Sequence, residues 1–546
     1  MNSPRGYRVC PGNRRQLTEV AMTERPQVNI GELRKGGLVK IKGKDMFSMW
    51  MKTTCSNLTS TQLRKLADIT DKYARGYLLF ATRQIPIIPF VELKNVDGVK
   101  EELADVYLEL DRCGPTVRNI NVCYDDKICP DALTNSISLA EKLDSFFRIP
   151  SRHKVKIGVA GCGKDCVVSR VLSDLGFVAV ERNGRVGYDA YVGGRLGVKP
   201  FVGIRMAECL SEDACERFVR NAFELLWNEG KTEERIADLI DRLGAEEVKR
   251  RLTTDLRSGL PLTPVTCKTA LKERDTDKII VRMRATCGEV TSKQLRRIAT
   301  IAEKYGKGFV HFVMRGSPEI PCIDRRYLKD IAKELQEAGM QVLGDGLDNL
   351  QCCFGNYCIE SNVDPQSLLR RIEVQARELD LGELGVKISA AGCPNSCGIA
   401  QLNDIGFYGV VEPEVNAADC NGCDLCVTVC KRHAITANDG LAVIDIEECR
   451  YCGQCIAVCP SDAIKEKRKG FAVFVGGSVG EDTRLGEVVA EFLSEDEALR
   501  ITERCLGILK EKQANAATVI DEVGLDQFKQ MLLSGSKKSV LRRLRK

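Results

Sequence analysis

The sequence predicts an α+β chain made of two copies of one unit, with the second copy interrupted by a cysteine-rich cassette. Three observations predict it. Leu58-Thr59-Ser60-Thr61-Gln62-Leu63-Arg64 recurs as Val290-Thr291-Ser292-Lys293-Gln294-Leu295-Arg296, 232 positions further on. A signature of Cys-x5-Cys followed by Cys-x3-Cys occurs at Cys123, Cys129, Cys162 and Cys166, and again at Cys352, Cys358, Cys393 and Cys397. Two Cys-x2-Cys-x2-Cys-x3-Cys runs then lie between Cys420 and Cys459. The class is pseudo-two-fold: each half holds one α/β unit and a second α/β unit that carries the cysteines.

From the N-terminus, residues 1–39 read as an extension and 40–115 as the first α/β unit. Thr59 with Gln62, and Thr291 with Gln294, form capping boxes. Apolar helical faces follow through Leu63, Leu66 and Ala67, and through Leu295, Ile298 and Ala299. Each helix leads through glycine into a strand, at 76–83 and 308–315. Residues 116–255 carry the first cysteine set, and 256–275, with Gly259, Pro261 and Pro264, form the linker. Residues 276–345 repeat the α/β unit, and 346–412 with 469–536 repeat the cysteine-bearing unit. The offset between copies is 231 at Cys162 and Cys393 but 283 at Gly193-Gly194 and Gly476-Gly477, so 52 extra residues sit inside the second copy. The cassette, 413–468, is therefore an insertion, and 537–546 is a solvated basic tail.

Composition narrows the class. The chain has 546 residues, 44% hydrophobic and 29% charged, as expected of a multidomain globular protein. A net charge of +5 gives no case for nucleic acid as a partner. Neither a secretory leader nor an apolar run of about 18 residues is present, which predicts a cytoplasmic protein without a membrane span. In a reducing compartment the 26 cysteines are not read as disulfides: sixteen fall into the spaced sets, and the other ten, Cys55, Cys113, Cys209 and Cys287 among them, lack paired spacing and are expected to pack as small apolar residues. Only His153, His311 and His433 are available for histidine-based zinc or acid–base chemistry.

In two-cluster ferredoxins the fourth cysteine of each run ligates the other cluster. Cys420, Cys423, Cys426 and Cys459 are assigned to one [4Fe–4S] centre on that pattern, and Cys449, Cys452, Cys455 and Cys430 to the other. A zinc ribbon is the competing reading, and the symmetric eight-cysteine spacing disfavours it.

The duplicated signature resembles that of the sulfite and nitrite reductases that couple sirohaem to a [4Fe–4S] cluster, over nearly the whole chain from about Lys40 to Leu533. With complete cysteine sets in both halves and an inserted ferredoxin, it is most similar to the dissimilatory-type sulfite reductases. This chain departs from them in carrying the ferredoxin in only one half. The resemblance implies that Cys397 bridges the cluster to the sirohaem iron, with Cys166 at the equivalent place in the first set.

It also implies that cations from one half face the cofactors held by the other. Fixed positive charge is what reduction of a small dianion requires. Arg83 within Thr82-Arg83-Gln84, Arg118 within Arg118-Asn119, and Lys154 and Lys156 match the family's anion-binding elements. Arg315 and Lys387 stand at two equivalent places in the second copy, with Leu347 and Gly385 at the others. The glycine pairs Gly193-Gly194 and Gly476-Gly477 are either turns or points of close approach to the macrocycle.

The expected activity is six-electron reduction of sulfite to sulfide at one sirohaem, with four [4Fe–4S] clusters per chain and a second, non-turnover sirohaem as the reading of the reciprocal site. A separate protein supplies electrons through the ferredoxin, and a homodimer is expected. The alternatives are reduction of nitrite to ammonia on the same cofactors, and a non-catalytic multi-cluster electron carrier. Retention of Arg83, Arg118, Lys154 and Lys156 argues against the carrier, which needs no anion cage.

Overall fold

In the computed structural model, two short strands preceding the repeated helices are exchanged between the copies. The structure describes residues 29–534 except 113, 149–150, 152, 232–233, 257–277, 344–345, 378, 380 and 383. The basic tail and nearly all of the expected linker lie outside the described residues.

The first α/β unit forms an antiparallel sheet in the order Leu38–Lys40, Phe47–Trp50, Ile85–Val91, Tyr77–Ala81 and Glu289–Thr291, the last strand coming from the second copy. The second unit answers with Lys278–Arg282, Pro318–Asp324, Phe309–Phe312 and Asn57–Thr59, the last from the first copy. Each exchanged strand leads straight into a helix, Ser60–Tyr73 or Ser292–Tyr305, and both capping boxes are formed. The Ser60 N–H donates to the Gly308 carbonyl at 2.9 Å, and its counterpart Ser292 to Gly76 at 2.7 Å.

The two helices lie against one another. Arg64 grips Glu303 at 2.5 and 2.6 Å, and Arg296 reaches both Asp68 and Asp71 at 2.7 Å. Beneath them Phe80 and its counterpart Phe312 stack, with centroids 3.7 Å apart and planes 13° apart. One core, running from Leu38 to Met340, takes residues from both copies. The two α/β units are thus a single body, a coupling that local sequence patterns do not reveal. The helix Ile30–Lys35 and the strand Leu38–Lys40 belong to this body, so it begins before residue 40.

Each cysteine-bearing unit is a five-stranded mixed sheet with its own core. The first runs Ile204–Leu210, Arg185–Val192, Leu175–Arg182, Ile157–Ala160, Asn121–Val122. The second runs Glu487–Leu493, Ile464–Val475, Ile405–Val415, Ile388–Ala391, Gln351–Cys352. Ser211 and Ser494 cap the equivalent helices Glu212–Glu229 and Glu495–Lys512 that cover them. Ile405–Val415 and Ile464–Val475 stay paired out to Val415 and Ile464, so the cassette sits on a two-stranded stalk and occupies 416–463, within the predicted 413–468. No helix among the described residues is long and apolar enough to cross a membrane.

The shared core makes a test. Phe312→Ala removes a fully buried ring from the pseudo-two-fold stack and is expected to cost about 3–5 kcal/mol. Thermal unfolding followed by far-UV circular dichroism should show both copies losing structure in one transition at lower temperature, not one half surviving the other.

Candidate active site

The cysteine sets grow from the ends of strands. In the first copy Val122 turns into the core and Cys123, one residue on, turns the other way and accepts a hydrogen bond from the Gly161 N–H at 3.0 Å. Val122 pairs with Val159 in the first copy and, equivalently, Cys352 with Ala390 in the second. Cys352 therefore takes the place of Val122, packed in the core beside Cys287. Cys353 takes the place of Cys123, and its sulfur accepts from the Gly392 and Gly355 N–H groups, both at 3.2 Å.

The charges of Cys353, Cys358, Cys393 and Cys397 act on one another. The expected ligand Cys352 is corrected to Cys353. The loop to Cys358 is one residue shorter than in the first copy, so the x5 spacing selects the wrong neighbour, and strand alternation settles which sulfur faces the site. In the first copy Cys123, Cys129, Cys162 and Cys166 act on one another in the same way.

In both sets the fourth cysteine, Cys166 or Cys397, is the exposed one. It opens to one side and is enclosed on the others, and burial with the charge of Cys162 and Cys129 pushes the Cys166 thiol up to about 11. Thiols crowded this way need a cation to hold them as thiolates. The donor sets fit iron–sulfur clusters on that ground and on the N–H groups aimed at sulfur, which include Glu360 to Cys358 at 3.4 Å.

Lys154 and Lys156, from the first copy, hold Cys397 of the second copy in their positive field, joined by Arg34. Desolvation pushes the Lys156 ammonium well below its usual range, reinforced by Arg235, Arg83 and Lys154, with Asp174 opposing. Asp174 anchors the group: it accepts from the Lys156 N–H at 2.8 Å and from Arg235 at 3.0 and 2.7 Å. Sequence reasoning missed Arg235 and Asp174. Asp174 has a counterpart, Asp404, on the Lys387 N–H at 2.9 Å. Arg235 has none, because the equivalent helix cap is Asn515.

Other expected residues take structural roles. Arg118 is buried, pairs with Asp111 at 2.6 Å and lies over Trp50, 5.3 Å from the ring centroid. Its charge is offset by that carboxylate. Asn119 and Asn349 brace the two copies alike, accepting from the Thr53 and Ala285 N–H groups at 3.0 Å. With Asn349 matched to Asn119, the counterpart of Arg118 is Asp348 and not Leu347.

Asp348 pairs with Arg315 at 3.1 Å, and the Arg315 guanidinium also donates to the Asn349 and Ile388 carbonyls and to Asn403. Arg315 is held by these bonds as an internal brace. Gln84 bonds Val122 and the Phe312 carbonyl at 2.7 Å across the copies, and Thr82 accepts from Gln351 at 3.2 Å. A Cβ at Gly194 would lie 2.6 Å from the Ser173 carbonyl, and one at Gly477 would lie 2.3 Å from that of Gln401. Backbone packing thus demands these glycines. Gly193 and Gly476, at φ of +95° and +75°, make the accompanying turns.

In the cassette, Cys449, Cys452 and Cys455 all lie in the field of Cys430, and Cys426 in that of Cys420 and Cys423. Cys459 lies beside Ser461. The Cys430 group and Cys393 line one cavity of about 100 Å³, with Arg34 and Glu360 on its wall. Glu360 pairs with Arg34 at 3.3 Å and accepts from Gln454. Asn362 donates its N–H to the Gly392 carbonyl at 2.7 Å and its side chain to that of Cys452 at 3.4 Å.

Two family models match this architecture. The nitrite and sulphite reductase 4Fe-4S domain matches residues 113–259 and 343–539, and the nitrite/sulfite reductase ferredoxin-like half domain matches 39–106 and 271–338. The chain belongs to the nitrite and sulfite reductase family of oxidoreductases. It is 32% identical over 269 residues to the coenzyme F420-dependent sulfite reductase of Methanocaldococcus jannaschii, covering 48% of this chain and only 43% of that protein's length. It is 23% identical over 418 residues to the chloroplastic ferredoxin–nitrite reductase of Spinacia oleracea, covering 70% and 69%. Against one component of the anaerobic sulfite reductase of Salmonella typhimurium it is 29% identical over 284 residues, covering 47% and 83%. The solved structure of the Mycobacterium tuberculosis NirA protein shares the fold at a TM-score of 0.69, with 18% identity over 91% of this chain and 90% of that one.

Neighbouring sulfurs with opposite facings allow a direct test. Cys353→Ser should lose the iron and labile sulfide of one cluster, about a quarter of the total if four are bound. Cys352→Ser should retain them, as measured by iron and sulfide analysis of anaerobically prepared protein.

Proposed function

We propose that this chain reduces sulfite to sulfide by six electrons, as a dissimilatory-type enzyme, with residues 416–463 acting as a two-cluster ferredoxin. The observation that carries the reading is the meeting of Lys154 and Lys156 with Cys397 across the two copies. Cys353, Cys358, Cys393 and Cys397 would hold the cluster, with Cys397 shared with sirohaem. Bound there, the pair supplies an electron store and an open iron position for the sulfur of sulfite.

The protein supplies the rest. Arg83, Lys154 and Lys156 bind and orient the anion's oxygens, and Arg235 adds charge while fixing Asp174. Lys156 releases its proton more readily than a solvated lysine, which suits it to donate as bonds to oxygen break. A bound dianion favours the charged form again, so substrate binding and reprotonation are linked.

The cassette's position favours one electron order. The Cys430 group shares a cavity wall with Cys393, and Cys420, Cys423, Cys426 and Cys459 take no part in that wall. A separate donor protein would deliver electrons to the Cys420 group, and four [4Fe–4S] clusters would be bound per chain. A homodimer is the default assembly. Sulfite is favoured over nitrite because two sulfite reductases match at higher identity than the nitrite reductase does. A pure electron carrier leaves the cations around Cys397 without purpose.

Steady-state assays with sulfite and nitrite side by side test the substrate, and a higher kcat/KM for nitrite would reverse the assignment. Lys156→Met should lower turnover by about 100-fold while the sirohaem spectrum stays intact. Loss of the pigment would move Lys156 to cofactor binding. Anion affinity is expected below the lowered Lys156 pKa and lost as pH rises through it, so kcat/KM should fall at a pH below the ordinary lysine range. In Lys156→Arg, whose charge persists, that alkaline fall should move upward.

A further inference from the structure

The two sites differ most in a row of side chains crossing three neighbouring strands. In the site at Cys397 the row is Trp50, Ile87 and Leu79, paired in that order across the sheet, with Trp50 set edge-on to Phe354 at 5.0 Å between centroids. In the reciprocal site at Cys166, the two-fold-related positions in the same register hold Arg282, Glu319 and His311, set against Tyr124. Each apolar member has been replaced by an ionisable one while the strand pairing is kept.

This row is built, not incidental. Glu319 is 1% exposed and accepts from the Arg282 Nε. His311 Nδ1 lies 2.9 Å from Asn57 Oδ1, and its ring stands 4.1 Å from that of Tyr124. A carboxylate so buried persists only with a partner, and Arg282 is that partner. The Arg282 side chain is nevertheless 46% exposed, and its outer edge makes no hydrogen bond or ion pair among the described residues, with the more distant charge of Asp348 acting on it besides Glu319. Its charge acts on Cys166, the open member of the first cysteine set. A guanidinium with one edge fixed presents a planar fork suited to two oxygens of one anion.

We propose that Arg282, held in place by Glu319, is the anion-binding residue of the reciprocal site and takes a carboxylate or a small oxyanion beside Cys166. The source is either a carboxylate of a bound tetrapyrrole or a free oxyanion. The first source rests on the proposed function, and the second does not. In the site at Cys397 the equivalent position is Trp50, and the cations acting there come from elsewhere, Lys154, Lys156 and Arg34.

The test pairs Arg282→Trp with Glu319→Ile in the full chain prepared anaerobically. The double variant copies Trp50 and Ile87, which the same strand register already accommodates, and leaves no orphaned carboxylate. Extractable tetrapyrrole per chain is one readout. The other is the change in cluster electron paramagnetic resonance on titration with inorganic phosphate, an oxyanion that is not reduced.

A grip on a macrocycle carboxylate predicts loss of about half the pigment with iron and labile sulfide retained. A grip on a free oxyanion predicts unchanged pigment and a phosphate response weakened by about tenfold or more. Arg282→Lys, which keeps the charge but not the fork, should retain only part of whichever property the double variant loses. Unchanged pigment together with an unchanged phosphate response overturns the proposal. Wild-type protein without any tetrapyrrole overturns the proposed function instead, and leaves the phosphate arm to decide on Arg282.

Discussion

Asn57–Thr59 completes the sheet of the second copy and Glu289–Thr291 that of the first, and this mutual loan of strands holds the rest in place. Neither α/β unit has a full sheet alone, so the copies cannot slide past each other without breaking ladder hydrogen bonds in both. The stacked Phe80 and Phe312 and the crossed Arg64–Glu303 and Arg296–Asp68 pairs lie on the same pseudo-two-fold axis. Residues far apart in the chain are fixed by this to within a side-chain length. Lys156 and Cys397 keep company because the two cysteine-bearing units also pack on each other, Val167, Val168 and Val171 of the first against Ile399 and Leu402 of the second.

Symmetry of scaffold and asymmetry of chemistry coexist because they use different residues. Asn119 and Asn349 make the same brace, and so do the carbonyls of Arg83 and Arg315 that they contact at 3.3 and 2.8 Å. The sites diverge at positions whose backbone is already secured by neighbours. Asp348 faces Arg118 across the duplication, Gly385 faces Lys154, Asn515 faces Arg235 and Arg282 faces Trp50. Asp348 adds a carboxylate that occupies Arg315, which turns a cation available for substrate into an internal strut. Charge reversal at one strand end thus alters two functional positions together.

Much of this was legible in the chain. The 232-residue register predicts the paired helices with their caps, because helix starts are set by local side-chain to backbone bonds. Cysteine spacing gives both sets and the insertion. It fails by one residue at Cys352, because spacing counts positions along the chain whereas the direction of a side chain follows strand alternation and register. Thr82, Gln84 and Asn119 read as cofactor contacts since they flank a matching arginine, yet Gln84 and Asn119 bond backbone elsewhere in the fold and Thr82 accepts from the side-chain amides of Asn121 and Gln351. Strand exchange depends on contacts more than 200 residues apart, and the Arg235–Asp174 pair on one 61 residues apart, neither of which a local pattern encodes.

The stalk beneath the cassette has one more implication. Val415 and Ile464 are partners in an antiparallel ladder, so the chain leaves and re-enters the sheet at points about 5 Å apart. An excursion with adjacent ends is topologically neutral: the host sheet needs only a tight turn there, and anything whose termini meet can take that turn's place. The cassette is in that sense a graft on a hairpin, and the same junction is a ready position for shortening, exchanging or lengthening it without disturbing the host.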